Sequence, residues 1–117
     1  MTAGTYSFTI EQGSTFRRSI TLTDVDNQPI PLVGKKARMQ IRDTQPAPTV
    51  LLEMSSDTGE ITLIDPGQIV WFLGADQTAT FTWKKGVYDM EIYDPADPKL
   101  VERTLQGQVL ISPEVTR

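Results

Sequence analysis

Pro31-Leu32-Val33-Gly34-Lys35-Lys36-Ala37-Arg38-Met39-Gln40-Ile41-Arg42-Asp43 decides the fold class. From Lys36 to Arg42 the chain alternates polar and apolar with a period of two. Ala37, Met39 and Ile41 fall on one face; Lys36, Arg38, Gln40 and Arg42 fall on the other. That periodicity describes a strand of a half-buried sheet, with Pro31 and Gly34 shaping the approach to it.

Toward the N-terminus, Tyr6, Phe8 and Ile10 alternate with Ser7, Thr9 and Glu11 and stop at Gln12-Gly13, giving a first strand and a turn. Phe16, Arg18, Ile20 and Leu22 share one parity of a second strand, in which Arg18 is the anomaly and is expected at the rim. Asp24-Val25-Asp26-Asn27-Gln28-Pro29 has turn chemistry: Asx side chains bond to nearby backbone amides, and Pro29 stops the strand. Toward the C-terminus, Thr44-Gln45-Pro46-Ala47-Pro48 is a proline-interrupted loop, expected to cross between two sheets. Val50–Met54 and Glu60–Ile64 are expected to be hairpin partners through Ser55–Gly59. Asp65-Pro66-Gly67 is another turn. Gln68–Leu73 is apolar enough to suggest burial on both faces or cover by another element. Gly74–Thr80 loses the alternation and predicts one helical turn capped by Asp76.

Lys84-Lys85-Gly86 is a corner leading into Val87–Tyr93, where Tyr88, Met90 and Ile92 point one way and Asp89, Glu91 and Tyr93 the other. This is the expected partner of the Lys36–Arg42 strand, with Asp89 and Glu91 facing Arg38 and Arg42 across the pair. Asp94–Lys99 is expected to be a rigid loop holding Pro95 and Pro98. Leu100–Ser112 supplies the last strand, with Leu105, Gly107, Val109 and Ile111 on one face, before an exposed tail from Pro113 to Arg117. The expectation is one all-β domain over residues 1–117: an antiparallel immunoglobulin-like sandwich of about seven to eight strands, with at most one short helical turn.

A chain of 117 residues buries roughly two-thirds of its unfolded surface and needs no staple. It contains neither cysteine nor histidine. Disulfides, thiolate metal sites, histidine acid–base catalysis and histidine-ligated metals are therefore outside its chemistry, and no cofactor is expected. A net charge of -4 argues against broad attraction to nucleic acid or anionic membranes. No run approaches the ~20 apolar residues of a membrane helix, and no targeting step is expected.

Candidate sites are few. Asp24-Val25-Asp26-Asn27 imitates the opening of a calcium loop, but the sixth and twelfth positions hold Pro29 and Lys35 where glycine and glutamate are required, so it is read as an ordinary turn. Asp89 and Glu91 could serve as an acid–base carboxylate pair, although solvated strand residues have the same pattern. Trp71, Trp83 and Tyr93 could form a sugar-stacking platform, yet aromatics at such positions are commonly core. Tyr93 has outer parity and is the candidate interface anchor. Pro46, Pro48, Pro95 and Pro98, with the loops that carry them, complete the candidate protein-interface set.

Four segments also carry a family likeness: Gly4–Phe16, Leu32–Arg42, Gly86–Ile92 and Ser112–Arg117. Together they resemble a family of small tailed-bacteriophage proteins, similar to the N-terminal immunoglobulin-like domain of siphophage baseplate upper proteins. The resemblance implies a non-enzymatic virion component, made in the host cytoplasm and present in multiple copies. It would connect or organise tail fibres, with fibre, baseplate or adaptor proteins as partners. Capsid decoration and glycan binding are the alternatives. Where the family often has Leu-Thr-Gly-aromatic, this chain has Leu32-Val33-Gly34-Lys35, so packing by that aromatic is lost or replaced.

Overall fold

The computed structural model describes residues 4–44 and 46–115. It is an all-β sandwich with strands β1 (Gly4–Thr5), β2 (Phe8–Glu11), β3 (Phe16–Thr21), β4 (Lys36–Arg42), β5 (Val50–Ser55), β6 (Ile61–Ile64), β7 (Gln68–Leu73), β8 (Lys85–Asp94) and β9 (Asp97–Ser112), and one helical turn, α1 (Ala75–Thr78). The larger sheet runs β1–β9–β8–β4–β5, with β2 also on β9; the smaller runs β3–β7–β6. This is the Greek-key order of an immunoglobulin-type sandwich.

The organising stretch becomes β4 in the register its pattern demands. Ala37, Met39 and Ile41 are essentially inaccessible to solvent, while Arg38 lies outside. Strand β8 is its antiparallel neighbour on one side, with Met39 opposite Met90, and β5 is its neighbour on the other. Inward residues of the larger sheet meet Phe16, Ile61, Ile69, Trp71 and Leu73 of the smaller one. Phe8 sits at the junction, its ring centroid 5.3 Å from Phe16, 5.2 Å from Trp71 and 5.1 Å from Tyr88. Aromatic pairs at such separations add to the burial of apolar area, so one β2 side chain fastens both layers.

Several connections differ from expectation. The loop after β4 does not change sheets: β4 and β5 are adjacent in one sheet, and the crossing occurs at Ser56–Glu60, between β5 and β6. Consequently β6 pairs with β7, not β5. Its turn chemistry reverses the chain but carries no information about which sheet receives it. β7 is buried on one face only, with Trp71 inside and Phe72 exposed, because no described element packs on the outside of the smaller sheet. Gly74, not Asp76, is the N-cap of α1, and the Gln77 side chain accepts the Gly74 N–H at 3.0 Å. The Asp94–Lys99 loop shrinks to a tight reversal around Pro95 and Ala96, since Asp97 pairs with Asp94 and Pro98 and Lys99 already belong to β9. The N-terminal strand, in two pieces, runs parallel to β9, with Gly4 opposite Leu105 and Phe8 opposite Val109. Counted as one interrupted strand, β1 and β2 bring the total to eight.

Two polar anchors meet at the β2–β3 turn. Thr78 is fully buried; its Oγ1 donates to the Ser14 carbonyl at 2.8 Å and accepts the Gly13 N–H at 3.0 Å. Gln12 donates to the Phe81 carbonyl at 2.8 Å and accepts the Glu114 N–H at 3.0 Å. Buried polar groups are tolerable when satisfied in this way. Here they tie the β2–β3 turn to α1 and to the segment after β9.

Candidate functional site

The outer face of the larger sheet carries the densest polar grouping. Registry across β4, β8 and β9 builds it row by row: Gln40 lies opposite Asp89 and Asp89 opposite Gln106, while in the next row Arg42 lies opposite Val87 and Val87 opposite Gln108. Val87 is short among long neighbours, so the grid sinks at its position. The result is an open trough of about 480 Å³, also bordered by Thr5 and Arg103. A smaller depression of about 160 Å³ adjoins it beside Arg38, Glu53 and Glu91.

The expected charge pairing is half present. Arg38 Nε donates to Glu91 Oε1 at 2.9 Å, but Asp89 turns to Arg103 at 3.3 Å, and Arg42 has no carboxylate opposite. The half-buried Arg42 guanidinium instead donates to the Ala47 carbonyl at 2.6 Å and to the Gln40 amide oxygen at 2.8 Å. Asp89 and Glu91 thus each hold their own arginine, an arrangement of structural ion pairs rather than of an acid set against a base. Lys36 meets Asp57 at 2.8 Å, and this hydrogen bond and its charge raise the ammonium above its ordinary range.

The other candidates are dispersed. Tyr93 is half-buried on the outer face beneath Arg38, whose guanidinium carbon is 4.5 Å from the ring centroid. Pro46 and Pro48 are exposed on the β4–β5 loop, Pro95 is exposed at the β8–β9 reversal, and Pro98 is exposed in β9. Gln45, within the first of these loops, and Thr116 and Arg117, at the end of the tail, lie outside the described residues. Trp71 is fully buried and Trp83 packs on Phe81, with centroids 5.5 Å apart, so the three aromatics form no common platform. Arg18, read as a rim residue, lies over the Phe16 ring at 4.7 Å. Asp24 Oδ1 accepts the N–H groups of Asp26 and Gln28 at 2.9 and 3.0 Å, which is an Asx turn. Among the described residues no group of three or more acidic, histidine or cysteine side chains could hold a metal ion.

The trough has no sign in the sequence beyond the outward parity of Gln40, Arg42, Asp89, Gln106 and Gln108. The far end of the β8–β9 hairpin carries Pro95 and Pro98 of the expected interface set, but Pro98 lies in a strand rather than a loop, and the exposed stretch runs on beyond it. Six consecutive residues, Pro98–Arg103, are exposed on both faces, and Leu100 and Val101 retain 49% and 39% of their accessible surface. The β1–β9 pairing begins only at Leu105, so from Asp97 to Val101 the outer edge of β9 has no strand beside it among the described residues. Comparison with protein-family models and with curated proteins finds no match for this chain.

Proposed function

We propose that this protein is a non-enzymatic structural component of a bacteriophage tail, connecting or organising tail fibres at the baseplate or adaptor. The family resemblance of Gly4–Phe16, Leu32–Arg42, Gly86–Ile92 and Ser112–Arg117 is the origin of the tail assignment. The observation that carries the docking role is the β8–β9 arm, a strand with apolar side chains, two exposed faces and an open edge. Unpaired edge groups accept a strand from a neighbour, and side chains of both parities are available for specificity. Pro98 and Lys99 temper the edge against indiscriminate pairing, a role such residues commonly have. Each copy needs only modest affinity, because many copies engage together in an assembly.

Mass spectrometry of purified particles, separated into heads and tails, tests the reading. The protein is expected in the tail fraction at several copies per particle, and Leu100→Glu is expected to deplete it there while leaving the isolated domain folded. Its absence from particles, or its presence only on heads, refutes the tail assignment. Retention of Leu100→Glu at wild-type copy number refutes docking through the arm.

A further inference from the structure

We propose that the trough on the outer face of the larger sheet is a binding site for a carboxylate-bearing glycan, with Arg42 as the anchor for the carboxylate. The proposal rests on the trough, which shares only Arg103 with the arm, and does not require strand addition there.

Arg42 has five N–H donors in a planar fork, and its bonds to Ala47 and Gln40 hold that fork in place. Among the described residues, no carboxylate forms an ion pair with it, in contrast to Arg38 and Arg103. Arg42 and Arg103 against Asp89 leave one net positive charge around the trough of a chain whose net charge is -4. An occupant with one negative charge at this point is therefore complementary. A fixed guanidinium fork suits a carboxylate bidentately.

The rest of the lining suits hydroxyl groups. Gln106 and Gln108, two residues apart on β9, make no side-chain hydrogen bond among the described residues, whereas Gln40 is engaged by Arg42 and Glu53 and Asp89 by Arg103. A side-chain amide offers a neighbouring donor and acceptor that can bridge vicinal hydroxyls, and two of them along the trough present a sugar chain with repeated contacts. Val87 gives the floor a small apolar patch on which a ring face can rest. A peptide is the less suited occupant. Beneath the trough β8 and β4 are paired on both sides, and β9 there is flanked by β8 and the N-terminal strand, with the Gln108 N–H bonded to Ser7 Oγ, so little backbone is open to an added strand. The trough is open at the surface, which admits an internal segment of a polymer.

Affinity electrophoresis of the full chain in gels containing polygalacturonate, alginate, dextran or poly-L-glutamate tests this. The two uronate polymers are expected to retard the protein, and dextran and poly-L-glutamate to do so much less. Arg42→Gln should weaken retardation by about tenfold or more, as expected for loss of a charge-assisted hydrogen-bonded contact. Val87→Glu should do the same by filling the floor with like charge. Arg42→Lys should fall between these variants and wild type, and Arg38→Gln, which removes an equal charge outside the trough, should bind like wild type. Near-ultraviolet circular dichroism checks each fold; if Arg42→Gln unfolds through loss of its Ala47 bond, Val87→Glu decides. No retardation by either uronate polymer overturns the proposal, as does equal retardation by dextran or poly-L-glutamate. Wild-type binding by a folded Val87→Glu overturns it too.

Discussion

Tyr88→Phe tests the junction between the N-terminal strand and the body of the sandwich. The Tyr88 hydroxyl donates to the carbonyl of Tyr6 at 2.5 Å, while its ring stays in edge contact with Phe8 and Trp71. Phenylalanine keeps the ring and removes only the donor. The Tyr6 carbonyl then loses its partner, and the expected cost at neutral pH is about 1–2 kcal/mol, the range for a lost hydrogen bond with a partly desolvated acceptor. A second signature appears in alkali. Burial holds the Tyr88 phenol well above its ordinary range, reinforced by the neighbouring Tyr6 charge. The unfolded chain releases this proton at a lower pH than the folded chain does. The stabilisation is therefore complete below about pH 10 and is lost as pH rises from there toward the folded value, with a slope approaching 1.4 kcal/mol per pH unit, roughly one proton's worth. Tyr88→Phe lacks that contribution, so its stability should fall less steeply than wild type above pH 10. Urea unfolding followed by tryptophan fluorescence between pH 7 and pH 11 measures both signatures. Equal stability at pH 7 together with identical alkaline slopes refutes the reasoning.

Three further substitutions probe independent features. Thr78→Ala removes the hydroxyl that bridges Ser14 and Gly13; a loss of about 1–3 kcal/mol in urea unfolding is expected, with faster hydrogen exchange at the Gly13 amide. Gly107→Ala would place a methyl carbon 2.3 Å from the Tyr6 carbonyl oxygen, a backbone atom, so it should displace the N-terminal strand. The expected result is markedly lower stability and loss of amide protection at Tyr6. Arg38→Gln breaks the 2.9 Å pair with Glu91, but both side chains are substantially exposed, so the change in unfolding free energy should stay below about 1 kcal/mol and shrink further in salt.

The sequence pattern reveals the fold where burial is one-sided and local. β4 and β8 were legible because Ala37, Met39, Ile41, Tyr88, Met90 and Ile92 all obey a period of two. Partner choice was less so. Ser55–Gly59 has the chemistry of a hairpin turn, yet it joins two sheets, because a reversal of direction does not specify which layer receives the next strand. Pro95 and Pro98 suggested a loop, but proline is tolerated on an edge strand whose amides face outward, and Pro98 sits in β9. The parallel β2–β9 pairing joins residues about a hundred positions apart and has no local signal. The same holds for the trough: Arg42, Val87 and Gln108 are unremarkable alone and meaningful only once registry sets them side by side.

The position of β9 between β8 and the N-terminal strand has a consequence for the order of synthesis. Phe8 and Ile10 are made about a hundred residues before the strand against which β2 lies. Until then β4, β5 and β8 can assemble and β3, β6 and β7 can assemble, while the first strand waits with its apolar face unmatched. Such non-local pairing makes folding slow, since loop closure precedes any gain from the contact. Completion of the larger sheet therefore waits on β9, and until that strand is present the Phe8 side of the aromatic junction has no partner strand to hold it in place.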